Sequence, residues 1–299
     1  MRTVTRSIVV AVGAAYTLGA AAHGASDIES GPDFETWPTV AMLLVAVAYV
    51  LGWIRLARRT HAGRFRFRRS AWLFGTGWLS LAGAVLSPLH AAGARSFSLH
   101  MIEHEIIMLV AAPLLALARP LAIMLWALPH RARRAIARTG HRYLGSPWRA
   151  VTRPLTATVV QIAVLWAWHA PRWFDAALRD ETWHTVQHVS FLVAALLFWW
   201  ALARNRVPAR QTIAAACLFV TSLAGGLLGA LMALSVSPWY ARYAEMGVTS
   251  FGLTPVQDQQ LAGLLMWIPG GLVHAGVGLA FIALWLRHGE GERRVPLAQ

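Results

Sequence analysis

Apolar runs long enough to cross a bilayer recur along this chain, separated by short segments dense in arginine. Seven segments follow from that pattern: Trp37–Leu56, Ala71–Leu89, Leu99–Ala118, Leu155–Trp168, Thr185–Leu202, Thr212–Val236 and Asp258–Leu286. A helix of about 20 apolar residues spans the hydrocarbon layer, and lipid offers the backbone no hydrogen-bond partners, so each run is expected to be helical. The fourth run is short and borrows flanking residues. The expected fold is therefore all-α, a polytopic membrane bundle of about seven transmembrane helices. Ahead of it, Arg2 and Arg6 precede the apolar segment Ile8–Ala22 and a close of small residues, the shape of a secretory signal or of one further helix over residues 1–24. Residues 25–36 form an acidic linker with Asp27, Glu29, Asp33 and Glu35, residues 37–288 the membrane domain, and residues 289–299 a tail.

Composition agrees with that class: 57% of the 299 residues are apolar and only 13% are charged, against about one-quarter in a soluble domain. The net charge of +14 would point to nucleic acid if it formed one soluble patch. Instead all the basic residues are arginines, set in alternate loops. Arg55 to Arg69 follow the first segment, Arg119 to Arg153 the third, Arg204 to Arg210 the fifth, and Arg287 to Arg294 the seventh, while the intervening loops hold only Arg95, Arg172, Arg179 and Arg242. By the positive-inside rule the Arg-rich loops are cytoplasmic, the mature N-terminus is outside and the C-terminus inside. Nucleic acid is dropped as a partner, and the bilayer is the first one. The single cysteine, Cys217, excludes an intrachain disulfide and a Cys-rich metal site.

Two local patterns refine the frame. Arg131–Arg142 alternates arginine with Ala and Ile, as suits a helix lying on anionic lipid. Thr254-Pro255-Val256-Gln257 reads as an N-cap, a first-turn proline and the third-position partner of a capping box, with Asp258 placed to complement the helix dipole. Pro269-Gly270-Gly271 is expected to bend the seventh segment, and Gly225 with Gly229 to let the sixth approach a neighbour closely.

Six of the twelve histidines fall at the outer ends of segments. His100 and His104 open the third, His184 and His188 open the fifth, and His169 closes the fourth. An i, i+4 pair lies on one helical face, and a polar ring at membrane depth is costly unless it has a task. The two pairs are therefore expected to face each other and bind a metal, with His169 beside them. His90 is read as a headgroup contact or a cap on a neighbouring helix. His23, His61, His130, His141 and His288 lie in terminal or Arg-rich stretches, and His274 lies too deep to join.

Imidazoles suit copper, zinc and iron, and Met108, one turn after His104, leans the set toward copper. A bis-histidine haem is the chemical rival, and a quinone a further one. His100-Met101-Ile102-Glu103-His104 also spells H-x-x-E-H, an inverted zinc-protease signature with Glu103 as general base. The pattern is short, with no third ligand or cleft identified, so a non-enzymatic reading is adopted. Glu103 and Glu105 are read as carboxylates that hold histidine N–H groups.

Three blocks carry a family resemblance. They are His100–His104 leading to Ala112-Pro113-Leu114-Leu115 and Arg119-Pro120; Trp168-His169-Ala170-Pro171 with Asp175–Leu178, His184, His188 and Phe198-Trp199-Trp200; and Leu253-Thr254-Pro255 with Asp258–Gly263 and Trp267–Gly271. In this order, over about residues 37–287, the chain resembles the CtaG family of cytochrome c oxidase assembly factors. The resemblance implies a bacterial plasma-membrane protein that supports formation of haem–copper oxidase, with copper delivery as its expected part. It also implies oxidase subunits as partners and a periplasmic copper donor as a further one. The implied metal residues are His100, His104, His169, His184, His188 and Asp258.

Overall fold

The computed structural model of the protein describes residues 36–59, 64–204 and 208–293, all helix and connecting turn with no strand among them. The signal and linker segments before Thr36, together with His61, Arg206 and Arg294, lie outside the described residues. The helices are α1 (Thr36–Ala57), α2 (Arg64–Val85), α3 (Pro88–Gly93), α4 (Phe97–Ala118), α5 (Pro120–Met124), α6 (His130–Thr139), α7 (Gly145–Val151), α8 (Pro154–His169), α9 (Pro171–Arg179), α10 (Glu181–Ala203), α11 (Pro208–Ala233), α12 (Ala241–Met246) and α13 (Pro255–Arg293).

Among the described residues, five helices are long and apolar enough to cross a membrane: α1, α4, α10, α11 and α13. Taking α7 and α8 together, bent by 69° at their junction, makes six. The expected second segment accounts for the difference from seven. Arginines 64, 66, 68 and 69 occupy the opening turns of α2, so its apolar part is shorter than a bilayer requires. At the other end Ser87 and Pro88 start a separate helix, with the Ser87 side chain accepting from the Leu89 amide at 3.2 Å. The all-α membrane bundle is as expected, with five to six of the about seven expected spans passing on length and composition among the described residues.

The core of the bundle is α4. It packs against α2, α3, α10 and α13, while α8 closes onto α10 and α11. Midway, residues Ile106–Ala111 form a wider π-helical turn, and the indole of Trp199 on α10 donates to the Met108 carbonyl at 2.9 Å. Such turns loosen the backbone ladder locally, which is what an outside donor needs to enter it. The helix ends at Arg119, whose φ of 53° puts it in the left-handed region just before Pro120.

The longest mutual packing is between α11 and α13, and small residues make it close. A Cβ added at Gly229 would lie 2.7 Å from the Gly263 carbonyl, so the two backbones touch there. Gly225, expected to share this role, meets only Leu165 at an ordinary 3.8 Å. The capping box forms as read: the Thr254 amide donates to Gln257 Oε1 at 2.9 Å, and the Gln257 amide reaches back to Thr254 Oγ1 at 3.4 Å. The helix then runs through Pro269 without interruption. Far from that end, the exposed helix α6 carries Arg131, Arg133, Arg134 and Arg138, with the Arg133 guanidinium 3.8 Å over the Trp126 ring.

Replacing Gly229 with Ala is expected to destabilise the protein by about 1–3 kcal/mol, the usual range for overpacking. Gly225→Ala should leave it near the wild type. Thermal unfolding of both in the same detergent checks the contrast.

Candidate metal centre

The first turns of α4 and α10 both start at one end of the bundle, and helical spacing puts His100 with His104, and His184 with His188, on the sides that face each other. Ring centroids are 4.3 Å apart within the first pair, 4.4 Å within the second and 4.9 Å between His104 and His188. The closest approach joins His104 Nε2 to His188 Nε2 at 3.2 Å. One ring nitrogen each of His100, His104 and His188 lies within 4.8 Å of the others, and all three rings are buried. Two imidazoles on one ion, each about 2.0–2.1 Å from it at a tetrahedral angle, stand roughly 3.3 Å apart. The separation therefore suits a shared cation.

Several ring nitrogens of these histidines and of His169 have no protein partner. His100 Nε2, His104 Nδ1, His169 Nε2 and His184 Nε2 are all buried and unbonded. A buried polar atom left so is costly, and a cation or an ordered water would satisfy it.

The expected residues do not all converge. His184 stacks on His90 at 5.1 Å and stands 5.4 Å from His100, at the edge of the three-histidine group. His169 is oriented by its own helix, with Nδ1 donating to the Leu165 carbonyl at 2.7 Å. Its ring packs 6.2 Å from Phe191. Asp258, expected among the metal residues, stands instead at the start of α4. It accepts from the Phe97 amide at 2.6 Å, the Ser98 amide at 3.2 Å, Ser96 Oγ at 3.0 Å and Ser98 Oγ at 2.5 Å. A carboxylate from the first turn of α13 thus caps α4, where free N–H groups and the helix dipole favour an anion. Among the described residues, no group of candidate ligand atoms within 4.8 Å includes it. Met108 is core: its sulfur accepts from the Gln161 amide at 3.8 Å.

Two residues enter that sequence reasoning ranked too low. Glu103 is 0% exposed, and its Oε1 lies 2.7 Å from His90 Nδ1 and 3.4 Å from His188 Nδ1. It holds imidazoles as expected of a carboxylate there, with His90 rather than His100 as its nearest. His90, read as a headgroup contact or a helix cap, is part of this group. No spacing signal marked it, because it stands alone on the six-residue α3. That helix reaches the site because a Cβ at Gly93 would come within 3.2 Å of the His100 Cα. Glu105 faces the other way, toward Gly270 on α13. His274 stays apart, stacked on Trp199 at 5.8 Å with Nδ1 donating to the Gly270 carbonyl.

A buried aromatic cluster packs against the site. Phe174 lies 4.1 Å from Tyr240 and 5.3 Å from both Phe97 and His100. The Tyr240 hydroxyl donates to the His169 carbonyl at 3.0 Å and the Tyr243 hydroxyl to the Gly93 carbonyl at 2.7 Å. Burial pushes both phenols up from their usual range, Asp175 adding to the effect at Tyr240 and Asp258 at Tyr243, so both remain neutral donors.

Comparison with known proteins follows this geometry. The model of the family described as cytochrome c oxidase caa3 assembly factor (Caa3_CtaG) matches residues 47–288. The uncharacterized protein Mb0105 of Mycobacterium bovis is 28% identical over 278 residues, covering 88% of this chain and 40% of that protein. MT0111 of Mycobacterium tuberculosis gives the same figures. ML1998 of Mycobacterium leprae is 22% identical over 271 residues, 85% of this chain and 39% of that protein. The chain spans about two-fifths of the length of these curated relatives. No solved structure matches it.

Asp258→Ala removes the acceptor for two backbone amides and two hydroxyls, a loss on the order of 3 kcal/mol given the worth of hydrogen bonds to a charged group. The folded fraction should keep whatever metal the wild type binds. Unfolding in detergent and metal content of the same sample check both halves.

Proposed function

This chain belongs to the family of cytochrome c oxidase caa3 assembly factors (Caa3_CtaG), and from that premise we propose that it takes up copper at the imidazole cluster and hands it to an oxidase subunit during assembly. The observation that carries the reading is the His100, His104 and His188 group, buried at one end of a membrane bundle with ring nitrogens left unbonded. Imidazoles are good copper ligands, and a three-nitrogen set with no thiolate lets the ion leave again. Copper here is cargo. The role is non-catalytic: Glu103 is engaged by His90 and His188, which supports orientation of ligands rather than activation of water.

We place the histidine end on the outer face of the bacterial plasma membrane, because the Arg-rich segments lie at the opposite helix ends and basic loops stay in the cytoplasm. A copper donor outside and an oxidase subunit in the same bilayer are then the partners. Haem held by His104 and His188 is disfavoured. Axial nitrogens on opposite sides of one iron stand about 4 Å apart at ordinary metal–nitrogen lengths, whereas these are 3.2 Å apart.

Purified protein loaded with Cu(I) should hold one ion per chain, and the His104→Ala, His188→Ala double variant should lose it. Unchanged copper content in the double variant, or an intense Soret band in the wild type, would overturn the assignment. In cells, the same variant should lower copper-dependent oxidase activity at least tenfold.

A further inference from the structure

Copper was placed above at a single position, but among the described residues the donors form two groups. The first is His100, His104 and His188; the second is His90, Glu103 and His188, each with its candidate atoms within 4.8 Å of one another. Both contain His188, and they use opposite nitrogens of its ring. Nε2 faces His104 Nε2 at 3.2 Å, whereas Nδ1 faces Glu103 Oε1 at 3.4 Å. Exposure grades along the line: the His90 side chain is 36% exposed and that of His188 10%, while His100 and His104 are 1% exposed.

Resting on the copper reading above, we propose that these are two successive positions of one relay, an entry position at His90, Glu103 and His188 and a holding position at His100, His104 and His188. The imidazole of His188 passes the ion from its Nδ1 side to its Nε2 side. The nitrogen that lacks the ion carries the proton, so each inward crossing takes one proton off Nε2 and returns one to Nδ1 by exchange with water reaching the part-exposed His90 side, and the ring stays neutral. With copper in the inner position, the Nδ1 proton points at the Glu103 carboxylate; with copper in the outer one, the Nε2 proton points at His104 Nε2. The relay holds one ion at a time, because a neutral imidazole has a single lone pair to give.

Charge explains the placing of Glu103. An ion leaving water for the bundle interior loses its hydration and needs a fixed opposite charge nearby. The Glu103 carboxylate is itself fully buried and touches both stages, as a ligand in the outer position and as the partner of His188 in the inner one. The mixed nitrogen and oxygen outer set suits quick capture, and the all-imidazole inner set favours Cu(I) by its softer donors.

The test follows anaerobic transfer of Cu(I) from its bicinchoninate complex to detergent-purified full-length protein, by loss of the chelate's colour. Wild type should take one ion per chain. His90→Ala should reach the same final content at least tenfold more slowly, and His90→Gln, which keeps a side chain of similar size, should repeat that result. His100→Ala should show the early uptake of the wild type but release its copper to added chelator at least tenfold faster. Loading of both His90 variants at the wild-type rate would overturn the relay, as would loss of their final copper, which would make His90 part of a single site. If wild type takes no copper, the copper reading itself falls, an outcome distinct from the other two.

Discussion

Burying imidazoles beneath a membrane surface imposes one requirement: each polar nitrogen must find a partner within the bundle or hold an ion. The contact between His104 and His188 is where that requirement is met by two helices at once. Around it the arrangement becomes intelligible. Glu103 is desolvated because it holds two rings, α3 is drawn in because it brings one of them, and the buried Phe174, Tyr240 and Tyr243 pack beside the cluster.

Precision in such a site comes from its supports rather than its donors. Helix α4 must be fixed both in depth and in rotation for His100 and His104 to aim at α10. Asp258 fixes its start by taking the free N–H groups and the two serine hydroxyls. Trp199 fixes it further along, through the Met108 carbonyl at the π turn. Those anchors come from α13 and α10, so the cap, the turn and the site are parts of one frame. The close contact of Gly229 with Gly263 sets where α13 can stand, and with it where Asp258 reaches. The site is thereby tied to helix packing some distance away.

Much of this was legible in the chain. Apolar runs implied helices in a membrane, the capping box at Thr254 formed where it was read, and the two i, i+4 pairs were bound to present one face each. These are local properties, decided by the 3.6-residue period and by which solvent tolerates which side chain. The second segment is the one that length and composition alone do not pick out, because four arginines inside α2 shorten its apolar part even though the helix itself is long.

Tertiary structure decided the rest. That the two pairs meet, that Asp258 caps α4 instead of joining the imidazoles, and that the solitary His90 comes to Glu103 all depend on how helices distant in sequence pack. A pattern within one helix fixes which way a residue faces but not what it faces. Loop geometry and the close approaches at Gly93 and Gly229 set the partner, and no single stretch of sequence encodes those distances.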